Sequence, residues 1–185
     1  MPADPVTPAI LRGPGIVLRA HTPADVVPLW EAVRESEAEL SPWMPWCHES
    51  YEQEEMARWV GLCAESRSSR EMFEFVIAEV ADGRVVGACG LNQVDWQNRR
   101  ANLGYWVRTT ATGRGVATAA AGVLARYGFA ELGLMRAEVL VATGNAASQR
   151  VAVKLGATRE GVLRNRLWLD GRPHDAVAYS LIPDG

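Results

Sequence analysis

The sequence predicts one α+β domain organised on a mixed β-sheet, and three observations lead there. Residues 72–108 hold three β-rich runs separated by turn signals. Strand-like and helix-like patterns then alternate as far as residue 156, and two further strand-like runs close the chain. A length of 185 residues suits a single domain with a substantial core, and 48% hydrophobic with 22% charged residues is an ordinary globular make-up.

Residues 1–15 are proline-rich and are expected to form a loose arm, leaving 16–185 as the folded domain. The arm has neither a basic start nor an apolar core, so it does not read as a secretory signal. A strand is predicted over 16–20. Thr22 is then placed to cap a helix with Pro23 in its first position. That helix runs through "ADVVPLWEAVRESE", with Val26, Leu29, Trp30 and Val33 on one face and Pro28 in the first turn. "SPWMPWCHES" is a loop broken by Pro42 and Pro45. A second helix over 52–67 aligns Met56, Trp59, Val60 and Cys63. "MFEFVIAEV" and "RVVGACGLNQVD" read as a hairpin about Asp82-Gly83, and "RRANLGYWVR" as the third strand of a meander. Beyond it come a helix over 115–131, a strand "RAEVLVA", a helix in "NAASQRVAVKLG" and the strands "REGVLRNRLWL" and "DAVAYSLI".

A net charge of −3 and a pI near 5.7 argue against a nucleic-acid partner, while a mildly acidic surface suits a cationic substrate. The three cysteines, Cys47, Cys63 and Cys89, are sparse and form no paired motif, which suggests reduced thiols in the cytoplasm. His48, Cys63 and His174 lack metal-ligand spacing, so no metal is expected. No run approaches the length of a membrane span.

The stretch "VRTTATGRGVATAAAG" carries the chemistry. Residues 106–130 contain Arg108, Arg114 and Arg126 but no acid, in a chain with 22 acids. Acids ordinarily favour a helix first turn; without them the positive end of the dipole is left for an external anion. Gly113 and Gly115 would let a phosphate reach the unpaired amides of that turn. The plainer alternative is a tight turn with Thr112 as cap. "GRGVAT" does not fit a dinucleotide-binding fingerprint, and no Gly-Lys pair supplies a nucleotide P-loop.

A strand ending in "GYWVR", a G-x-G loop and a small-residue helix resemble the cofactor-binding core of the GNAT acyltransferases. Thr110 replaces the long polar residue that usually opens the loop. "GNAASQRVAVKLGATREGVLR", "SPWMPW" and "WLDGRPHDAVAYSLI" are similar to the RimJ/RimL branch, whose best-known members acetylate N-terminal amines of ribosomal proteins. The resemblance covers nearly the whole chain after residue 15. It implies a three-layer α/β/α fold, with a mostly antiparallel sheet and a V-shaped splay between two parallel strands, here "ANLGYWVR" and "RAEVLVA".

By the same resemblance, acetyl-CoA lies in that splay. Backbone groups of Trp106, Val107, Arg108 and Thr109 would bond the pantetheine arm, and Gly113, Arg114, Gly115, Val116, Ala117 and Thr118 the phosphates. A strand amide would stabilise the oxyanion, with Gly104 placed to permit a bulge that aims it. Asn145 would cap the next helix and bond the pantetheine. Ser148, the catalytic candidate, would relay a proton to the departing thiolate. Trp43 and Trp46 sit in a proline-broken loop, and they would form either the acceptor wall or a dimer contact; Tyr105 and His174 complete the acceptor-side set.

A general base is harder to place. The family's usual glutamate falls on Asn102, a second on Leu167, and its tyrosine acid on Ala152. Glu74, Asp95 and His174 are the remaining candidates, with proton loss through ordered water as the working hypothesis. Cys47 beside His48 is a poor nucleophile pair, since adjacent residues rarely have relay geometry. The resemblance therefore implies acyl-CoA-dependent transfer, by direct attack, to a primary amine such as a protein N-terminus or polyamine. The rival is a non-catalytic acyl-CoA-binding sensor.

Overall fold

The computed structural model describes residues 10–183. Among the described residues eight strands and five α-helices follow one another as β1 (Leu11–Gly13), β2 (Ile16–Arg19), α1 (Val26–Glu35), α2 (Glu37–Leu40), α3 (Gln53–Ser68), β3 (Phe73–Glu79), β4 (Val85–Asp95), β5 (Arg100–Val107), α4 (Val116–Ala130), β6 (Arg136–Ala142), α5 (Ala146–Lys154), β7 (Thr158–Leu169) and β8 (Arg172–Leu181). They form one sheet in the order β1-β2-β3-β4-β5-β6-β8-β7, antiparallel except between β5 and β6.

The alternation of β3 sorts the layers. Phe73, Phe75 and Ile77 point into a core filled by Leu124, Ala120 and Tyr127 of α4, and Ala152 of α5 belongs to the same core. Val76 faces the other way, into a smaller core made with Leu29 and Val33 of α1 and Met56 and Val60 of α3. The result is the expected sandwich of helices on both faces of a mixed sheet. Ala119, Ala120 and Ala121 keep α4 close to the strands, and Gly128 continues this tight fit, since a Cβ there would stand 3.0 Å from Leu91.

Some local expectations change. The boundary expected at residue 16 falls between two paired strands, because Leu11–Gly13 lies antiparallel to Ile16–Leu18; the rest of the expected arm, residues 1–9, lies outside the described residues. The first helix is preceded by a 3-10 turn, Pro23–Asp25. There Asp25 accepts from the Thr22 amide and hydroxyl and is clamped by both guanidinium nitrogens of Arg19. The β3–β4 hairpin has a longer connection than Asp82-Gly83 alone, although Gly83 adopts the left-handed conformation with φ 74°. No bulge occurs at Gly104. β4 and β5 keep one register from Gly87↔Val107 to Asn92↔Asn102, and the irregularity lies beyond, between Asn92 and Asp95.

Candidate active site

β5 and β6 pair only over Arg100–Asn102 against Arg136–Glu138. Beyond Asn102 the two parallel strands part, and among the described residues β5 keeps only its β4 neighbour. This opening is the predicted splay. It is continuous with a cavity of about 770 Å³, walled on the strand side by Gly104 to Trp106 and Val139 to Ala142, and on the other by Trp43, Trp46 and α3.

At one end of the opening lies the glycine loop. Gly113 (φ 74°) and Gly115 (φ 80°) both adopt the left-handed conformation, and a Cβ built at either meets nothing within 4 Å. Gly115 caps α4, whose first turn carries no acid. The amides of Val116, Ala117 and Thr118 have no intrahelical acceptor, so they suit an anion. The two arginines do not add free positive charge there. Arg108 is held by Glu35 of α1 and donates to the Val85 carbonyl, and Arg114 pairs with Glu79 at 2.7 Å. Acids absent from the local sequence are thus supplied by other elements, and the electrostatic part of the expectation is corrected. The backbone of this segment is partly engaged too. The Arg108 amide donates to Val86 O, and the Thr109 amide to Ser36 Oγ at 2.9 Å.

Asn145 caps α5 as expected, its Oδ1 accepting from the Ser148 amide at 3.0 Å. The Ser148 hydroxyl lies 3.0 Å from the Tyr105 hydroxyl, which also donates to the Ser148 carbonyl. Burial raises the Tyr105 phenol above its ordinary value. Tyr105 therefore stands within hydrogen-bond reach of Ser148 as well as on the cavity wall, and the two hydroxyls are close enough to pass a proton. No sequence spacing signals this, because β5 and α5 are joined only through the fold.

Trp43 and Trp46 turn into the cavity. The Trp43 ring packs against Gly144, where a Cβ would stand 3.3 Å away, and Trp46 lies 6.0 Å from the Trp106 ring. His174 does not line the cavity: it sits on β8 opposite Leu167, and its Nε2 is buried without a partner. Leu167 itself does reach the wall. Asp95 is also removed, occupied by Asn98 and Arg100 at the β4–β5 turn, and these bonds hold its carboxyl below the usual range. Of the three candidate bases only Glu74 reaches the cavity, and His21, unremarked in the sequence, stands there with it. Cys47 is buried, which pushes its thiol up and leaves less of the nucleophilic thiolate. Among the described residues no cluster of three or more His, Cys, Asp or Glu could hold a metal, and no helix is long and apolar enough to cross a membrane.

Residues 16–158 match the family model described as an acetyltransferase (GNAT) domain. A Bacillus subtilis relative named "Putative ribosomal N-acetyltransferase YdaF" is 40% identical over 101 residues, 55% of each chain. Spermidine N(1)-acetyltransferase of Escherichia coli is 29% identical over 96 residues, 52% of each chain. The aligned segments thus span about half the length of these curated relatives. Among solved structures, Mycobacterium smegmatis RimJ in complex with CoA-disulfide superposes with a TM-score of 0.79 at 29% identity, covering 94% of this chain and 85% of that one.

Proposed function

Because this chain belongs to the GNAT acetyltransferase family, on its RimJ/RimL-like branch, we propose that it moves an acetyl group from acetyl-CoA to a primary amine. The acceptor is a protein N-terminal α-amine or a polyamine. The observation that carries the reading is the splay itself: a gap between β5 and β6 joins an open glycine loop at one end to an apolar cavity at the other. A pyrophosphate fits the first and an amine-bearing chain the second. Gly113, Gly115 and the amides of Val116 to Thr118 would hold the phosphates, and Asn145 the pantetheine arm. The thioester would then lie beside the Tyr105–Ser148 pair, where attack needs no covalent enzyme intermediate. Those paired hydroxyls favour chemistry over a sensor that only binds.

The same reading takes the enzyme to work in the cytoplasm with its thiols reduced. It pairs two copies of the chain, the dimer contact that the tryptophan loop suggests, and light scattering tests that pairing. Calorimetric titration of acetyl-CoA into the wild type and Gly113→Glu tests the cofactor site. Binding should be lost in the variant, and free thiol should appear when wild type receives acetyl-CoA and an amine. Equal binding by both proteins, or no thiol from a panel of α-amines and polyamines, counts against the reading.

A further inference from the structure

β3 places one acid among apolar residues. Phe73 and Phe75 point into the α4 core, and Glu74 between them points to the opposite face, onto the cavity wall, with 7% exposure. Its carboxyl needs an unusual seat. Glu74 stands across from Gly90 on β4, and Gly90 across from Gly104 on β5. A Cβ at Gly90 would fall 1.9 Å from Glu74 Oε2 and 2.0 Å from its carboxyl carbon. The carboxyl therefore lies flat over a backbone cleared of side chains, in a row that leads across to Gly104, just where β5 leaves β6.

The carboxyl is also aimed. Asn102 Nδ2 donates to Asn92 Oδ1 at 2.9 Å, which turns the Asn92 amide nitrogen towards Glu74 Oε1 at 3.3 Å. No bond reaches Oε2, and no cation lies within ion-pair distance of Glu74, among the described residues. Arg67 is near, but it donates to the Glu74 backbone carbonyl and lies over the Phe75 ring. Glu74 is buried, its Oε2 is bonded by no described side chain, and the residue lines the cavity, so a cationic guest there would complete it.

We propose that Glu74 receives the acceptor's ammonium and is its general base, with Asn92 and Asn102 as positioning residues. This rests on the acetyl-transfer reading above and names the proton acceptor that the family's vacant positions, Asn102 and Leu167, do not provide. An ammonium N–H bond breaks and the Glu74 carboxylate takes the proton. The nitrogen lone pair forms the C–N bond to the thioester carbonyl, and the C–S bond breaks with its electron pair on sulfur. The sulfur takes a proton from the Tyr105–Ser148 pair, which the second proton shed by nitrogen restores. Ammonium and thioester thus become amide, thiol and one released proton, which leaves Glu74 for solvent.

The titratable side chains packed against Glu74 are shifted away from neutrality, while His48 lies elsewhere on the cavity wall, 3.4 Å from Glu55. His21, from the β2–α1 connection, is pushed down to about 4 by burial, and Cys63 of α3 is pushed up to about 12. Cys89 of β4 is buried and raised as well, and Arg67 of α3 stays charged. Burial pushes Glu74 itself up to about 7, so it is ready to take a proton above that pH.

The test compares wild type and Glu74→Gln using acetyl-CoA with spermidine and with a short peptide bearing a free α-amine. Acetyl-CoA affinity should stay within about twofold while kcat/KM falls by roughly 10²–10⁴-fold, the usual range for a lost general base. The rising limb of the wild-type pH profile near 7 should vanish. Activity within threefold of wild type, with the limb unmoved, overturns the proposal and leaves the function standing. No turnover by wild type overturns the function, and the proposal with it. If Glu74→Gln no longer binds acetyl-CoA, Asn92→Asp decides. A second carboxylate beside Glu74 must move the limb to higher pH, and an unmoved limb refutes the role.

Discussion

Replacing Glu74 by Gln should change stability in a way that depends on pH, independently of any reaction. In the folded protein burial holds this carboxyl at about 7, against 4.5 for an ordinary one. Between those values the folded chain keeps a proton that the unfolded chain has released. Folding is therefore favoured at low pH and loses this advantage as pH rises through the window. At roughly 1.4 kcal/mol per pH unit the interval amounts to about 3 kcal/mol. Gln has no proton to lose. It keeps the polar contact with Asn92, so the variant should gain on wild type by about 3 kcal/mol between pH 4 and pH 8. For a domain of this size each kcal/mol moves the melting temperature by about 2–4 °C, and the gap between the two proteins should widen by roughly 6–12 °C. Thermal melts of both proteins at half-unit pH steps measure it, and other titrating groups cancel in the difference. A gap constant to within about 1 kcal/mol would mean that the carboxyl is solvated, and the seat on Gly90 would then be wrong.

Three other perturbations have definite expected outcomes. Tyr105→Phe should lower kcat by about 10–100-fold while acetyl-CoA affinity is kept, because only the relay to Ser148 is lost; stopped-flow thiol release measures it. Gly87→Ala should cost about 1–3 kcal/mol or more and weaken acetyl-CoA binding, since Gly87 has φ 155° and a Cβ there would stand 2.2 Å from the Trp106 carbonyl oxygen. Urea unfolding and calorimetry together report both effects. Leu124→Ala, at a fully buried position between α4 and the sheet, should cost about 2–5 kcal/mol in the same unfolding assay without shifting the pH profile of turnover.

Much of the scaffold was legible because its signals are local. Alternating β-rich runs gave β3, β4 and β5, and the small-residue run after Gly115 gave α4. β1 was not, since three residues flanked by proline and glycine carry no period, and only their pairing with β2 makes them a strand. The site divides similarly. The glycine loop and the Asn145 cap lie in contiguous residues and could be read. What Arg108 and Arg114 bind could not, because Glu35 and Glu79 lie far off in the chain. The row Glu74–Gly90–Gly104 depends on the register of three strands, and the Tyr105–Ser148 pair on where α5 docks. His174 was misplaced for the same reason: its neighbours on β8 gave no sign of which way the hairpin turns it.

The short ladder between β5 and β6 makes the sheet mechanically two leaves, β1–β5 and β6–β8, stitched at three residue pairs and bridged by α4, which touches strands of both. Past the stitch, each leaf presents an inner rim of peptide groups to the gap between them. A guest lying along that gap would act as a removable ninth strand, supplying partners to both rims. Its binding would then close the cleft, stiffen the joint and raise resistance to unfolding as one event. Its departure as a cleaved thiol would loosen the same joint. Opening and product exit would thus be governed by how three rungs hold.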